Sequence, residues 1–158
     1  MNENGPVCRC GKKGCLEAIC GNNAIIRDAA TAAQNGDWTP INMSDISIEE
    51  VLTQARQGNP SIKEIYKKTG RTLGTGISNL QAIVDSEKII IAGKGVQAGK
   101  ILFEPMRETL HQDISFENDA LTKLYVSKWE RTNYARGAGA LVLQEVYESP
   151  ANRVIPLI

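Results

Sequence analysis

The chain has no long apolar run, so nothing in it reads as a membrane span or as the hydrophobic stretch of a signal peptide. It has no surplus charge either, because 18 Lys and Arg stand against 18 Asp and Glu. That balance removes any electrostatic reason for the chain as a whole to settle on nucleic acid or on a membrane. Operator-type contacts with DNA, if the biology needs them, are expected from residues outside this chain. Histidine is reduced to His111, which falls at the polar end of a predicted helix and reads as a solvated surface residue rather than a ligand. Repeats and low-complexity segments are lacking too. What remains is 158 residues, 42% of them hydrophobic, enough for one domain with its own core. Without a secretory signal the expected compartment is the cytoplasm, where thiols stay reduced.

Against these absences stands one concentration. All four cysteines lie in GPVCRCGKKGCLEAIC, spaced Cys8-x-Cys10-x4-Cys15-x4-Cys20. Clustered reduced thiols more often hold metal than disulfides. Gly11 and Gly14 supply the backbone freedom that a chain folding around an ion requires. Lys12 and Lys13, at the tip, would offset part of a thiolate cluster's charge. The pattern predicts a tetrahedral zinc site that uses at least Cys8, Cys10 and Cys15. Cys20 follows a helical stretch and admits two readings, a small buried residue or a fourth ligand.

The rest of the chain reads mainly as helix. Asn23 is expected to cap a helix through Ile25, Ile26, Ala29, Ala32 and Ala33 that stops at Gly36, followed by a loop from Asp37 to Ser44. Ser47 and Glu50 form a capping box, and Ile46 with Val51 a hydrophobic staple, for a helix over Ile48 to Gln57 ending at Gly58. Asn59 and Pro60 open the longest helix. Its stripe of Ile62, Ile65, Tyr66, Thr69, Leu73, Ile77, Leu80, Ile83 and Val84 predicts one buried face. Gly70, Gly74 and Gly76 interrupt it, which signals a close approach, by a neighbouring helix or by a ligand. Lys88 to Ala92 reads as a buried strand ending in Gly93-Lys94-Gly95, a position where open α/β sheets bind ligands. A helix through Ile101 to Leu110 with Pro105 near its start or kinking it, a strand from Leu121 to Ser127, and a helix from Tyr134 to Tyr147 complete the pattern. Helices dominate, so the sheet is expected to be small.

Together these residues resemble the ROK family of bacterial sugar-responsive repressors and sugar kinases. The likeness rests on Cys8-x-Cys10-Gly11-x-x-Gly14-Cys15-Leu16-Glu17, on Leu73-Gly74-Thr75-Gly76-Ile77-Ser78-Asn79-Leu80 with Asp85 and the segment Lys88 to Gly95, and on Arg136-Gly137-Ala138-Gly139-Ala140-Leu141-Val142. The resemblance implies an α/β, helix-rich second lobe of an actin-like, ribonuclease-H-like fold. In it a zinc knuckle and helix start occupy residues 1–20 and the lobe core residues 21–158. It implies further that the first lobe, the Asp-x-Gly-x-Thr phosphate motif, the Asn-Asp pair holding the kinases' catalytic base, and a histidine that would complete the zinc shell lie outside this chain.

The same resemblance gives Glu17 a role as an acceptor for sugar hydroxyls, which suits a carboxylate. Its place in a helix's first turn offers the plainer alternative of favouring the helix dipole. In the kinases the strand ends in consecutive glycines that admit nucleotide, whereas here Lys94 stands between Gly93 and Gly95. The stretch from Asn133 to Gln144 also looks more like the xylose-repressor branch. The expectation is therefore the sugar-sensing, dimer-forming part of a repressor that reaches operator DNA through a separate N-terminal domain, with no catalysis by this chain. The alternative is a fragment of an ATP- and Mg²⁺-dependent sugar kinase, inactive alone.

Overall fold

In a computed structural model the chain is described over residues 3–113, 123–128, 130 and 132–147. The order is α1 (Leu16–Cys20), α2 (Asn22–Gln34), α3 (Ile48–Gln57), α4 (Pro60–Val84), β1 (Lys88–Ile91), a 3₁₀ turn (Lys94–Ala98), α5 (Lys100–Asp113), β2 (Lys123–Val126) and α6 (Asn133–Tyr147). It is an α/β arrangement in which helices prevail. Among the described residues the sheet has two parallel strands, with Ile89 opposite Leu124 and Ile91 opposite Val126. Parallel strands need a crossover, and the 3₁₀ turn with α5 supplies it.

Local chemistry sets most helix ends. Ser47 Oγ accepts from the Glu50 N–H at 3.1 Å, but the expected box is only half made, because Glu50 Oε1 accepts from the Ile41 N–H at 2.6 Å instead. That contact draws the 37–44 loop onto α3. Gly58, at φ 102°, ends α3 in the left-handed conformation that favours glycine. Asn59 Oδ1 then accepts from the Ile62 N–H at 3.0 Å while its Nδ2 donates to Asp37 O at 3.0 Å, so one side chain starts α4 and ties down the loop. Asn23 is not a cap: α2 begins at Asn22 with Gly21 before it. A Cβ at residue 21 would stand 2.5 Å from Glu17 O, which explains why glycine separates α1 from α2.

The core is the block formed by α2, α3, α4 and α5. Ile62, Met106 and Val51 are fully buried, each worth about 1.5–3 kcal/mol of apolar transfer. Ile46 is buried with Val51 in the same cluster, as a staple requires, and Trp38 caps it with Nε1 donating to Ala29 O at 2.8 Å. Two helical glycines set the α4 to α5 distance. A Cβ at Gly74 would lie 2.6 Å from Met106 O, and one at Gly70 would collide with Leu102 O. These glycines serve close helix packing. The third, Gly76, points elsewhere, toward Leu16, whose methyls would stand 3.0 Å from an added Cβ.

Two expectations fail on burial. Leu80, Ile83 and Val84 are exposed, since periodicity identifies an apolar face but not what covers it. The β1 strand is only half covered: Ile89 and Ile91 pack against the core, whereas Ile90 is exposed beside Tyr125. Pro105 lies well inside α5, where it leaves Ile101 O without the helical N–H donor. Leu121 and the residue after it, the predicted start of β2, lie outside the described residues. His111 is exposed on the last turn of α5, as expected.

Candidate metal centre and ligand residues

The knuckle is a tight antiparallel turn. Val7 bridges Lys13, the Cys8 N–H donates to Lys12 O at 2.7 Å, and the Gly14 N–H donates to Pro6 O at 2.9 Å. Gly11 and Gly14 hold φ of 83° and 65°, a region unfavourable to side chains, so both turns of the loop depend on them. The result brings Cys8, Cys10 and Cys15 together, with their sulfurs all within 4.8 Å of one another. In a tetrahedral zinc–thiolate site with bonds of about 2.3 Å the sulfurs stand about 3.8 Å apart, so the triad is of the right size to hold such an ion. Cys8 is buried, Cys15 half-buried and Cys10 exposed.

Cys10 and Cys15 lie 3.5 Å apart, sulfur to sulfur. A hydrogen bond from the Lys12 backbone, with the one shared with Cys15, holds the Cys10 thiol below its ordinary pKa. The shared bond, together with burial, pushes Cys15 up to about 11. Within the pair, Cys10 therefore gives up its proton more readily than Cys15, and a metal must displace such protons to bind. Cys20 is not brought to the cluster. Its Sγ donates to Leu16 O at 3.1 Å and burial raises its pKa, in keeping with the reading of a small packing residue.

Glu17 lies beside the triad, second in α1. Its Oε2 accepts a weak hydrogen bond from Cys8 Sγ at 3.8 Å, and its Oε1 pairs with Arg9 Nε at 3.0 Å. Arg9 is the residue that sequence reasoning passed over; the available signal was a cation placed between two thiols of a Cys-x-Cys step. The five-residue α1 is braced by Arg27, whose Nη1 donates to Ala18 O at 3.2 Å, and by Leu16 on Gly76.

Gly93, Lys94 and Gly95 sit at the other end of the construction, after β1. Gly93 adopts φ 106°, which only glycine takes readily, and Lys94 is exposed at the start of the 3₁₀ turn. The turn packs on α5 and the knuckle helix on α4, so the α4 to α5 contact is what relates the two. A groove of about 520 Å³ between α2 and α4 is lined by Asp28, Thr31, Asn35, Asp37, Glu64 and Lys68, and none of the predicted site residues lines it. Among the described residues no helix is long and apolar enough to cross a membrane.

This arrangement of three close thiols on a helix-rich α/β fold agrees with the resemblance seen in the sequence, and the ROK family profile matches residues 1–145. The chain belongs to the ROK family. It is 24% identical to the xylose repressor of Caldicellulosiruptor bescii over 95% of this chain and 39% of that protein. Its fold superposes on a ROK family transcriptional regulator homologous to the E. coli MLC protein, with a TM-score of 0.74 and 28% identity, covering 93% of this chain and 37% of the other. It also superposes on a ROK glucokinase from Streptomyces griseus solved with glucose and AMPPNP, with a TM-score of 0.74 and 22% identity over 87% of this chain and 47% of that one. The fold is therefore the actin-like one of the ROK kinases, and relatives include both sugar repressors and sugar kinases. The chain spans less than half the length of the relatives it matches.

Proposed function

We propose that the chain is the C-terminal lobe of a ROK-type repressor of sugar metabolism, of the xylose-repressor branch, and carries its effector-sensing and dimerisation surfaces. The observation that carries this reading is the reach of the likeness to the xylose repressor, which extends over 95% of the chain. The exposed Lys94 supports it, because it sets a long cationic side chain in a glycine turn that would otherwise admit nucleotide. In the cytoplasm, Cys8, Cys10 and Cys15 would hold zinc and so fix the knuckle's backbone. Glu17 would accept hydrogen bonds from sugar hydroxyls, a site that rejects analogues lacking them. Sugar bound between this lobe and the rest of the protein would favour one of two dimer geometries, and that geometry would mismatch the operator half-sites.

The second reading is the corresponding lobe of a sugar kinase, favoured by the superposition on the Streptomyces griseus glucokinase. The experiment that separates the two uses the full gene product. It is incubated with xylose, glucose and N-acetylglucosamine, and both operator-fragment binding and ADP release from Mg²⁺-ATP are followed. Sugar-induced release of DNA without ADP formation is the expected result. Sugar-dependent ADP formation without DNA binding would overturn the repressor reading and establish the kinase.

A further inference from the structure

The knuckle also contains a ready-made thiol pair. Cys10 and Cys15 lie 3.5 Å apart, sulfur to sulfur, and a disulfide needs about 2.0 Å, a movement within reach of side-chain rotation in a loop hinged at two glycines. The third thiol lies within 4.8 Å of both but is the least accessible of the three. Cys8 is buried and its Sγ is directed to Glu17 Oε2, whereas Cys10 is exposed to solutes. We propose that Cys10 and Cys15 form an oxidative modification site, which hydrogen peroxide converts to an intramolecular disulfide.

The Cys10 sulfur attacks one peroxide oxygen and the O–O bond breaks; the departing hydroxide takes the Cys10 proton as water, and a sulfenic acid remains on Cys10. The Cys15 sulfur then attacks the Cys10 sulfur, the S–S bond forms and the S–O bond breaks. The departing hydroxide takes the Cys15 proton as water. Two thiols are oxidised and one peroxide is reduced to two waters. The pairing stands whether or not the triad holds a metal. Where it does, the disulfide removes two of three sulfur ligands, so peroxide would release the ion.

The test uses C20S protein, stripped of metal with a chelator and treated with hydrogen peroxide, and its controls remain reduced. Trypsin cutting after Arg9, Lys12 and Lys13 puts Cys8, Cys10 and Cys15 on three separate peptides, so the linkage is read directly by mass. The expected result is loss of two hydrogens' mass, a link between the Cys10 and Cys15 peptides that dithiothreitol reverses, and a single titratable thiol on Cys8. The wild-type chain should lose the same two thiols and keep Cys8 and Cys20. A Cys8 to Cys15 link, a disulfide between two chains, or sulfinic acid in place of any disulfide would overturn the proposal.

Discussion

Between α4 and α5, Gly70 and Gly74 bring two backbones together over a fully buried Met106. In α6, Gly137 and Gly139 would meet nothing within 4 Å among the described residues if each gained a Cβ, and no described residue of that helix is buried. Both helical regions use small residues and both carry apolar side chains, yet one is a core and the other a surface. Tyr134, Leu141, Val142, Leu143 and Val146 of α6 are exposed, as are Ile90 and Tyr125 on the outer side of the sheet. The lesson is that a glycine in a helix records a close approach only where a partner backbone is present. Composition alone does not distinguish the two cases.

The sharpest way to test this contrast is to empty the packed half. Met106→Ala should cost about 2–5 kcal/mol of unfolding free energy in a denaturant titration, and a loss below about 1 kcal/mol would mean that the α4 to α5 contact is loose in solution. Gly74→Ala should cost about 1–3 kcal/mol, because the new methyl meets Met106 O and Thr109 rather than a movable side-chain tip. Tyr66 extends the contrast to pH. Burial raises its phenol to about 12, so the neutral form is favoured in the folded chain. The stability this contributes is complete below the unfolded value near 10 and declines as pH rises toward 12. An ultraviolet titration should show a phenol ionising in that upper range, coincident with unfolding, and Y66F should abolish the signal.

The open half should respond in the other direction or not at all. Gly139→Ala is expected to raise stability by up to about 1 kcal/mol, through helix propensity with no clash. Leu143→Gln should change unfolding by no more than about 0.5 kcal/mol while lowering self-association in sedimentation at high concentration. A marked loss of stability from Leu143→Gln would show that α6 is packed after all, and the comparison between the halves would fail.

These differences also mark what the sequence could disclose. Ser47, Asn59, Pro60 and Gly58 announced helix ends because capping chemistry is local. The three knuckle cysteines announced a cluster because short spacing with two glycines leaves a loop few ways to fold. What stayed hidden was tertiary. The sequence pattern makes Glu50 half of a capping box, whereas its carboxylate reaches across to the Ile41 amide, a choice set by where the loop passes. Leu80, Ile83 and Val84 continue the apolar period of α4 beyond the point where α5 covers it, and no periodicity reports that limit. Arg9 and Glu17 face each other only because the knuckle turn folds one over the other.

Leu16 resting in the space left by Gly76 gives this small contact a thermodynamic reach. The knuckle and α4 meet there, so whatever tightens one must be felt by the other in equal measure. If an ion held by the three thiols stabilises the seating of α1, then a bulkier residue at position 76 weakens the hold on that ion, at most by the factor by which the ion strengthens that seating. Metal affinity thus becomes a gauge of helix packing, readable from outside the core.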